Sequence, residues 1–450
     1  MDNQNLFSQS YNQILASVAG TGNKNFQMLG NPIDFSWPVA PIGEMSPIAY
    51  QLMSAMPEYS LVGCYSAGDA RVFDSYCRVM SHITYKVSPE KQNDLQKLKD
   101  QYTKANNDLQ TITTNMNSAY QVAKQNGGAV FTAMYPDIAA WLAGPGSTYK
   151  NDIEKQTQLV KQYQDQYVSL AADICIDQKL KEDFDIIKTP TAPISGPAPK
   201  GWTKVPNSDG VLEWQPVFNI GTTGQDWRAK LSSGSIGAFK VQLNASKSDS
   251  NFDQKWAGGS AGYDAFFWGV HGSGGWKRTN ITESDQSVTA EIEVKSSTWV
   301  PVTPGSWYDG GLMTDLANNK DGYGAKITQP WVANGGPGSQ SIFGQYGILK
   351  TRITGFVVAY KPSYNIDMQS STYSKFEQEI QAGGGLRIGP FTFGGHGGSH
   401  KIEVHQTGNR TQLSGGSTSD DPLIIGMTVA FPGVAEEFIK GQKEEAKSYV

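Results

Sequence analysis

The chain has 450 residues and a formal charge of −5, with 38% hydrophobic and 18% charged residues. That length leaves room for about three ordinary domains and for a core that needs no disulfide or metal to hold it. The acidic balance and the lack of a Lys/Arg cluster exclude a binder that works by neutralising phosphates, so no nucleic-acid partner is expected.

The first residues show no basic region followed by an apolar run, so no secretory signal is read there. No stretch approaches the ~18 apolar residues of a spanning helix. The expectation is synthesis in the cytoplasm, with any release by a non-classical route. The three cysteines, Cys64, Cys77 and Cys175, form no CxxC and no repeated spacing. They read as buried thiols, with a Cys64–Cys77 bridge as the alternative.

Residues 1–60 suggest short helices, at about 6–18 and 47–56. Ser88-Pro89-Glu90 then reads as an N-cap, an N1 proline and a first-turn acid, and Gly127-Gly128 as a stop. Between them, Leu95, Leu98, Tyr102, Ala105, Leu109, Ile112, Met116, Ala119 and Ala123 are spaced in alternating steps of three and four. That is a heptad seam, predicting a helix over 88–126. A second seam over 148–181 places Ile153, Gln156, Val160, Tyr163, Tyr167, Leu170 and Ile174 on one face, with Gln156 as a register-fixing polar position. The two predict an antiparallel hairpin. Its corner, 128–146, is rich in apolar residues for a loop, and its six large ones, Val130, Phe131, Met134, Ile138, Trp141 and Leu142, are read either as a short capping helix or as a tip that docks on a partner or membrane.

Four prolines within 189–199 exclude helix and central strand and mark a semi-rigid linker. Composition changes there: 11 of the 49 glycines precede residue 200, and only Trp37 and Trp141 of the eleven tryptophans do. Beyond the linker, 288–294 alternates apolar and polar residues like a half-buried strand, 353–360 is apolar like a central one, and 401–405 and 423–431 read as further strands. Gly/Asn/Asp clusters punctuate them as turns. This pattern predicts an antiparallel sandwich. The predicted organisation is α+β and multi-domain: a helical domain at 1–188 containing the coiled-coil hairpin (88–126 and 148–181), a linker at 189–201, a Gly/Trp-rich β-sandwich at 202–435 and a charged tail at 436–450.

Chemical motifs are sparse. Gly258-Gly259-Ser260-Ala261-Gly262 matches G-x-S-x-G, but no βαβ pattern surrounds it, so a flexible turn is favoured over a hydrolase nucleophile at Ser260. His396 and His400 have the spacing of a helical metal pair, but the glycines between and around them rule out a helix; with Glu403 and His405 they read as loop or strand residues. The glycine runs at 144–150 and 383–389 lack the features of phosphate loops, and 315–326 lacks the glycine and glutamate of a calcium loop. No catalytic, cofactor-binding or metal-binding residue is assigned, and no cofactor is expected. The segment 363–426 is polar and Gly/Ser-rich like the stored membrane hairpins of pore-forming toxins, but its two candidate strands, 386–393 and 399–406, are only about eight residues each against the about 9–11 a spanning strand needs, and the apolar residues of the first do not hold one face, so insertion by this hairpin is not favoured.

Val302-Thr303-Pro304-Gly305-Ser306-Trp307-Tyr308-Asp309-Gly310-Gly311-Leu312, the glycine-rich run Gly383 to Gly395 and Leu423-Ile424-Ile425-Gly426 together resemble a group of uncharacterised bacterial and fungal β-rich proteins, over roughly 285–435. The resemblance implies one continuous β module and no activity. The functional expectation is a non-catalytic protein that self-associates or binds a surface, toxin-like and with membrane-interacting capacity. Its partners would be further copies of itself, another protein, a membrane surface or a glycan. The alternative is a lectin-like glycan-binding module that uses Trp256, Trp268, Trp276 and Trp307 as an aromatic surface.

Overall fold

A computed structural model describes residues 2–18, 25–30, 47–57, 64–65, 68, 70–135, 137–207, 209–221, 227–234, 236–247, 267–272, 275–279, 281–320, 324–344, 346–382, 385–394 and 400–432. The chain is a mixture of long helices and several antiparallel sheets. The tail at 436–450 lies outside the described residues.

The long helix spans Gln92–Met134, entered through a 3-10 turn at Pro89–Lys91. Every position of its apolar seam is buried or half-buried. It does not stop at Gly127-Gly128; Gly128 adopts φ 54° and ψ −138°, a kink after which the helix resumes. Glycine alone enters that left-handed region without a side-chain penalty, so the expected stop became a bend. The return helix Ser147–Ile174 runs antiparallel to it: Tyr102 Oη donates to Gln164 Oε1 at 3.0 Å, and Gln156 Nε2 donates to the Ala105 carbonyl at 2.9 Å. The predicted continuation to Lys181 is broken at Cys175. Asp177 caps a separate helix, Gln178–Ile187, by accepting from Leu180 N–H at 2.9 Å.

Among the described residues the largest sheet is six-stranded, ordered Cys64–Tyr65, Phe26–Leu29, Leu423–Ala430, Arg352–Tyr360, Ser296–Pro304 and Phe218–Ile220. All pairings are antiparallel except the first. Two of these strands come from the first 65 residues, where only helices were expected. Phe26–Leu29 is four residues long and fully buried, so it carries no alternation to recognise. Ile83–Thr84 likewise pairs with Lys326–Ile327.

A five-stranded antiparallel sheet is ordered His400–Thr407, Arg410–Ser417, Ser363–Gln369, Thr289–Val294 and Phe239–Asn244. Ala290, Ile292 and Val294 are buried, while Glu291 and Glu293 face Lys240 at 3.2 and 3.4 Å. The chain crosses between the two sheets directly at Lys295 and again at Lys361-Pro362, where Lys361 has φ 44°. A four-stranded sheet joins Phe391–Gly394, Gly385–Ile388, Trp268–Gly272 and Gly275–Arg278.

The six-stranded sheet is buried on both faces. Ile353, Phe356, Val358 and Tyr360 point into a core shared with the helices, whereas Val357 and Ala359 point into one shared with the other two sheets. A strand covered on both sides reads as an unbroken apolar run, as 353–360 does. The helix-side core also runs beneath the Pro-rich stretch: Tyr167, Val168, Ala171 and Phe184 before it pack with Trp202, Phe218, Val300 and Trp307 after it. Trp202 Nε1 donates to the Ile186 carbonyl at 2.7 Å and Trp214 Nε1 to the Ala192 carbonyl at 2.9 Å. The stretch therefore crosses the surface of a common core rather than separating two.

Candidate functional site

The corner between the antiparallel helices carries a small core of its own. Met116, Tyr120 and Trp141 are buried there, with Phe131, Tyr135, Ile138, Leu142, Tyr149 and Ile153 packed around them. The Trp141 ring lies 5.6 Å from Tyr120 and 5.8 Å from Tyr149; Phe131 lies 6.0 Å from Tyr120 and 5.1 Å from Tyr135. The Gly128 kink redirects the last helical turn over this cluster. Asp137 then starts the short helix Ile138–Leu142 by accepting from Ala140 N–H at 2.7 Å. The Trp141 carbonyl accepts from both Gly144 and Gly146 N–H, at 3.0 and 2.9 Å. A side chain at Gly146 would stand 2.5 Å from the Trp141 ring, so glycine is what lets the ring close the corner.

The six apolar corner residues divide into two groups. Trp141 is 5% exposed and is the centre of the cluster rather than a contact surface. Phe131, Ile138 and Leu142 are half-buried beside it. Val130 and Met134 are 72% and 63% exposed, and Val122 on the same long helix is 55% exposed. Burying Val130 and Met134 against an apolar surface would release about 1.5–3 kcal/mol each. The seam and the apolar corner were legible as spacing; which corner residues face inward was not, because that follows from the bend at Gly128.

Two of the four rings of the proposed aromatic surface lie in the interior. Trp268 and Trp307 are 0% and 1% exposed and belong to opposite cores. Trp276 lies in a strand opposite His271, and Trp256 lies outside the described residues. A different tryptophan, Trp331, borders a cavity of about 440 Å³ lined by Asn319, Lys320, Lys326, Gln329 and Asn334. His82 stacks on Trp331 with ring centroids 4.1 Å apart. Burial first, then the Arg78 and Lys99 cations, push His82 down to about 3, so the stacked imidazole is neutral. No local motif marks this cavity; it forms where Ile83–Thr84 meets Lys326–Ile327.

A wider groove of about 800 Å³ follows the Pro-rich stretch past Asp165, Asp185, Lys188, Thr189 and Trp202. Three of its four charged lining residues are committed locally: Lys188 pairs with Asp173 and Asp185, each at 3.2 Å, and the Thr189 hydroxyl donates to Asp165. Cys77 and Cys175 are buried free thiols, so the Cys64–Cys77 bridge is not formed. Burial raises both thiols above the usual cysteine range.

Ser260 and His396 lie outside the described residues. Glu403 and His405 are exposed residues of His400–Thr407, which pairs with Arg410–Ser417. The two segments weighed as a toxin-like hairpin, 386–393 and 399–406, fall into separate pairings. Gly385–Ile388 pairs with Phe391–Gly394, and a helix, Ser370–Ala382, occupies the preceding segment. Among the described residues, no helix is long and apolar enough to cross a membrane, and no three His, Cys, Asp or Glu residues are grouped to hold a metal ion. The chain matches no protein-family model, no curated protein and no solved structure.

Proposed function

We propose that the chain is a non-catalytic, self-associating and surface-binding protein in which a coiled-coil helical hairpin holds an apolar tip out from a β-sandwich body. The observation that carries this reading is the corner core: a rigid aromatic cluster, separate from the main cores, that presents Val130 and Met134 to solvent. Val130 and Met134 are four residues apart on one helix, so together they offer an apolar contact that a second surface would cover. The toxin-like, membrane-interacting capacity of this tip is tested by flotation with zwitterionic phosphatidylcholine vesicles. The protein should float with the vesicles, and a Val130→Glu/Met134→Glu variant should lose at least about tenfold in vesicle affinity. Its melting temperature should be unchanged, because both side chains are exposed. Wild type that stays with the protein fraction at every lipid concentration would remove the membrane reading.

The second reading is glycan binding, moved to the Trp331 cavity because Trp268 and Trp307 are buried. An aromatic face beside amide and ammonium donors suits a sugar ring, which needs one apolar contact and several hydrogen bonds. A glycan array followed by tryptophan quenching tests it. Trp331→Ala should abolish any array signal, and a signal that survives this change places the site elsewhere.

A further inference from the structure

The five-stranded sheet has two edges, and the chain treats them differently. At the Phe239–Asn244 edge, the helix Asp2–Val18 lies alongside. Gln13 Oε1 accepts from Gln242 N–H at 2.8 Å while its Nε2 donates to the Gln242 carbonyl at 2.7 Å. One turn earlier, Gln9 does the same with Asn244, at 2.9 and 3.0 Å. Four helical residues rise about 6.0 Å. Two strand residues rise about 6.8 Å. Two glutamines one turn apart therefore stand in for the missing neighbouring strand, and this edge is closed to further pairing.

The other edge, His400–Thr407, has no such cover among the described residues. It is eight residues long, 403–407 are exposed, and no described strand lies beyond it. Its free backbone groups can be assigned. The two-residue turn Gly408-Asn409 closes on the pair Thr407↔Arg410, so residues 401, 403, 405 and 407 bond inward. Ser417 confirms the alternation, since its N–H turns away from His400 to the Pro362 carbonyl at 2.9 Å. The N–H and C=O groups of Ile402, Val404 and Gln406 consequently point outward.

We infer that this edge is the self-association surface, and that a second copy of the chain pairs with it antiparallel about a two-fold axis at Val404, joining two five-stranded sheets into one. This rests on the self-associating part of the reading above. An antiparallel partner must match outward-facing residues with outward-facing ones. A two-fold at Glu403 would set Glu403 against its own copy, and like charges directly opposite are unfavourable. Centring on Val404 instead puts each Glu403 opposite the other copy's His405, a carboxylate against an imidazole. It sets Val404 against Val404 and Ile402 against Gln406. The two copies then overlap from 401 to 407, further than centring on Ile402 allows within this strand.

Light scattering over two decades of protein concentration tests the surface. Wild type should pass from monomer to dimer. Val404→Pro removes one outward N–H and no inward bond, which an edge strand tolerates, and it should raise the dimer dissociation constant at least about tenfold with little change in melting temperature. Val404→Cys should cross-link to its own copy under mild oxidation beyond the wild-type background, because bonded antiparallel partners sit about 5.5 Å apart at Cα, within disulfide reach. Ile402→Cys should not. A strict monomer, a dimer indifferent to Val404→Pro, or cross-linking at Ile402 in place of Val404 overturns the proposal. Vesicle flotation by the tip would survive any of these results, so the two readings fail separately.

Discussion

Replacing Trp307 by alanine should lower the free energy of unfolding by about 3–5 kcal/mol. The indole is 1% exposed, with ring centroids 5.2 Å from Phe73, 5.3 Å from Phe218 and 5.7 Å from both Tyr76 and Tyr308. Phe73 and Tyr76 sit on the helix Val72–Ser81 and Phe218 on an edge of the six-stranded sheet, so one side chain ties the amino-terminal part of the chain to the sheet. Trp307→Phe should cost much less, about 1–2 kcal/mol. It keeps a ring in the cluster, and the Val217 carbonyl that loses the indole donor at 2.7 Å still accepts from Gly305 N–H at 2.8 Å. Urea unfolding of the three proteins checks both figures. A loss near zero for the alanine variant would mean that Trp307 is not a core residue.

The second large effect should appear at Lys179→Met and should depend on pH. Lys179 pairs with Asp183 one turn on and with Asp309 at 2.9 Å, linking the helix Gln178–Ile187 to the start of the helix Gly310–Ala317. The Asp183 side chain is 4% exposed, and its Oδ2 has no hydrogen-bond partner among the described residues. Burial raises Asp183 to about 6, against the opposing pull of Lys179, with the nearby Asp309 adding to the rise. Burial also works upward on Asp309, but the Leu312 N–H and Lys179 together hold it below the usual carboxylate range.

Removing the cation at pH 7 leaves the Asp183 carboxylate buried without its counter-ion. A fully enclosed broken pair costs about 3–5 kcal/mol; with Lys179 itself 44% exposed, solvent screening brings the expected loss to about 2 kcal/mol. Because the folded-state value of Asp183 lies above its unfolded one, the folded protein takes up the proton first as pH falls through 6. The contribution of Asp183 to stability therefore increases from pH 7 towards pH 4. The Lys179→Met penalty should shrink over the same interval, and the gain should vanish in Asp183→Asn. His82, depressed to about 3, has the opposite dependence below pH 6.5, since the unfolded chain protonates first. Thermal melts must therefore be compared as differences between variants, in which His82 cancels. A penalty that stays constant from pH 7 to pH 5 would show that Asp183 does not titrate there.

The elements that sequence reasoning recovers are those whose partners lie nearby in the chain or whose burial is one-sided. The long helix was readable from 95 to 123 because burial on one face enforces steps of three and four. Thr289–Val294 was readable because one face of it meets water. Ser370–Ala382 was missed although Tyr373 and Phe376 are three apart, because the surrounding Gly/Ser-rich composition outweighed a short signal. Phe26–Leu29 was missed because its cause is remote. The only local trace is on the far strand: at Gly426 a side chain would stand 2.2 Å from the Phe26 ring, so that glycine records a neighbour some four hundred residues away. The tryptophans misled for a related reason. Their number announced aromatic packing but not which rings face outward: Trp331 borders a cavity, whereas Trp268 and Trp307 are sealed in the cores.

The pairing of Met28 with Gly426 also sets a timetable for biosynthesis. At about 5–20 residues per second, roughly 20–80 s separate the emergence of the two partners from a ribosome. The antiparallel helices are complete long before that, so they have time to form while the first strand, already beside Cys64–Tyr65, still waits with the backbone groups of its other edge unmet. Until Leu423–Ala430 arrives, Phe26–Leu29 and Arg352–Tyr360 have no strand between them. A nascent chain halted short of residue 423 should therefore carry folded helices on an incomplete sheet, and it should be a substrate for chaperones that the finished protein is not.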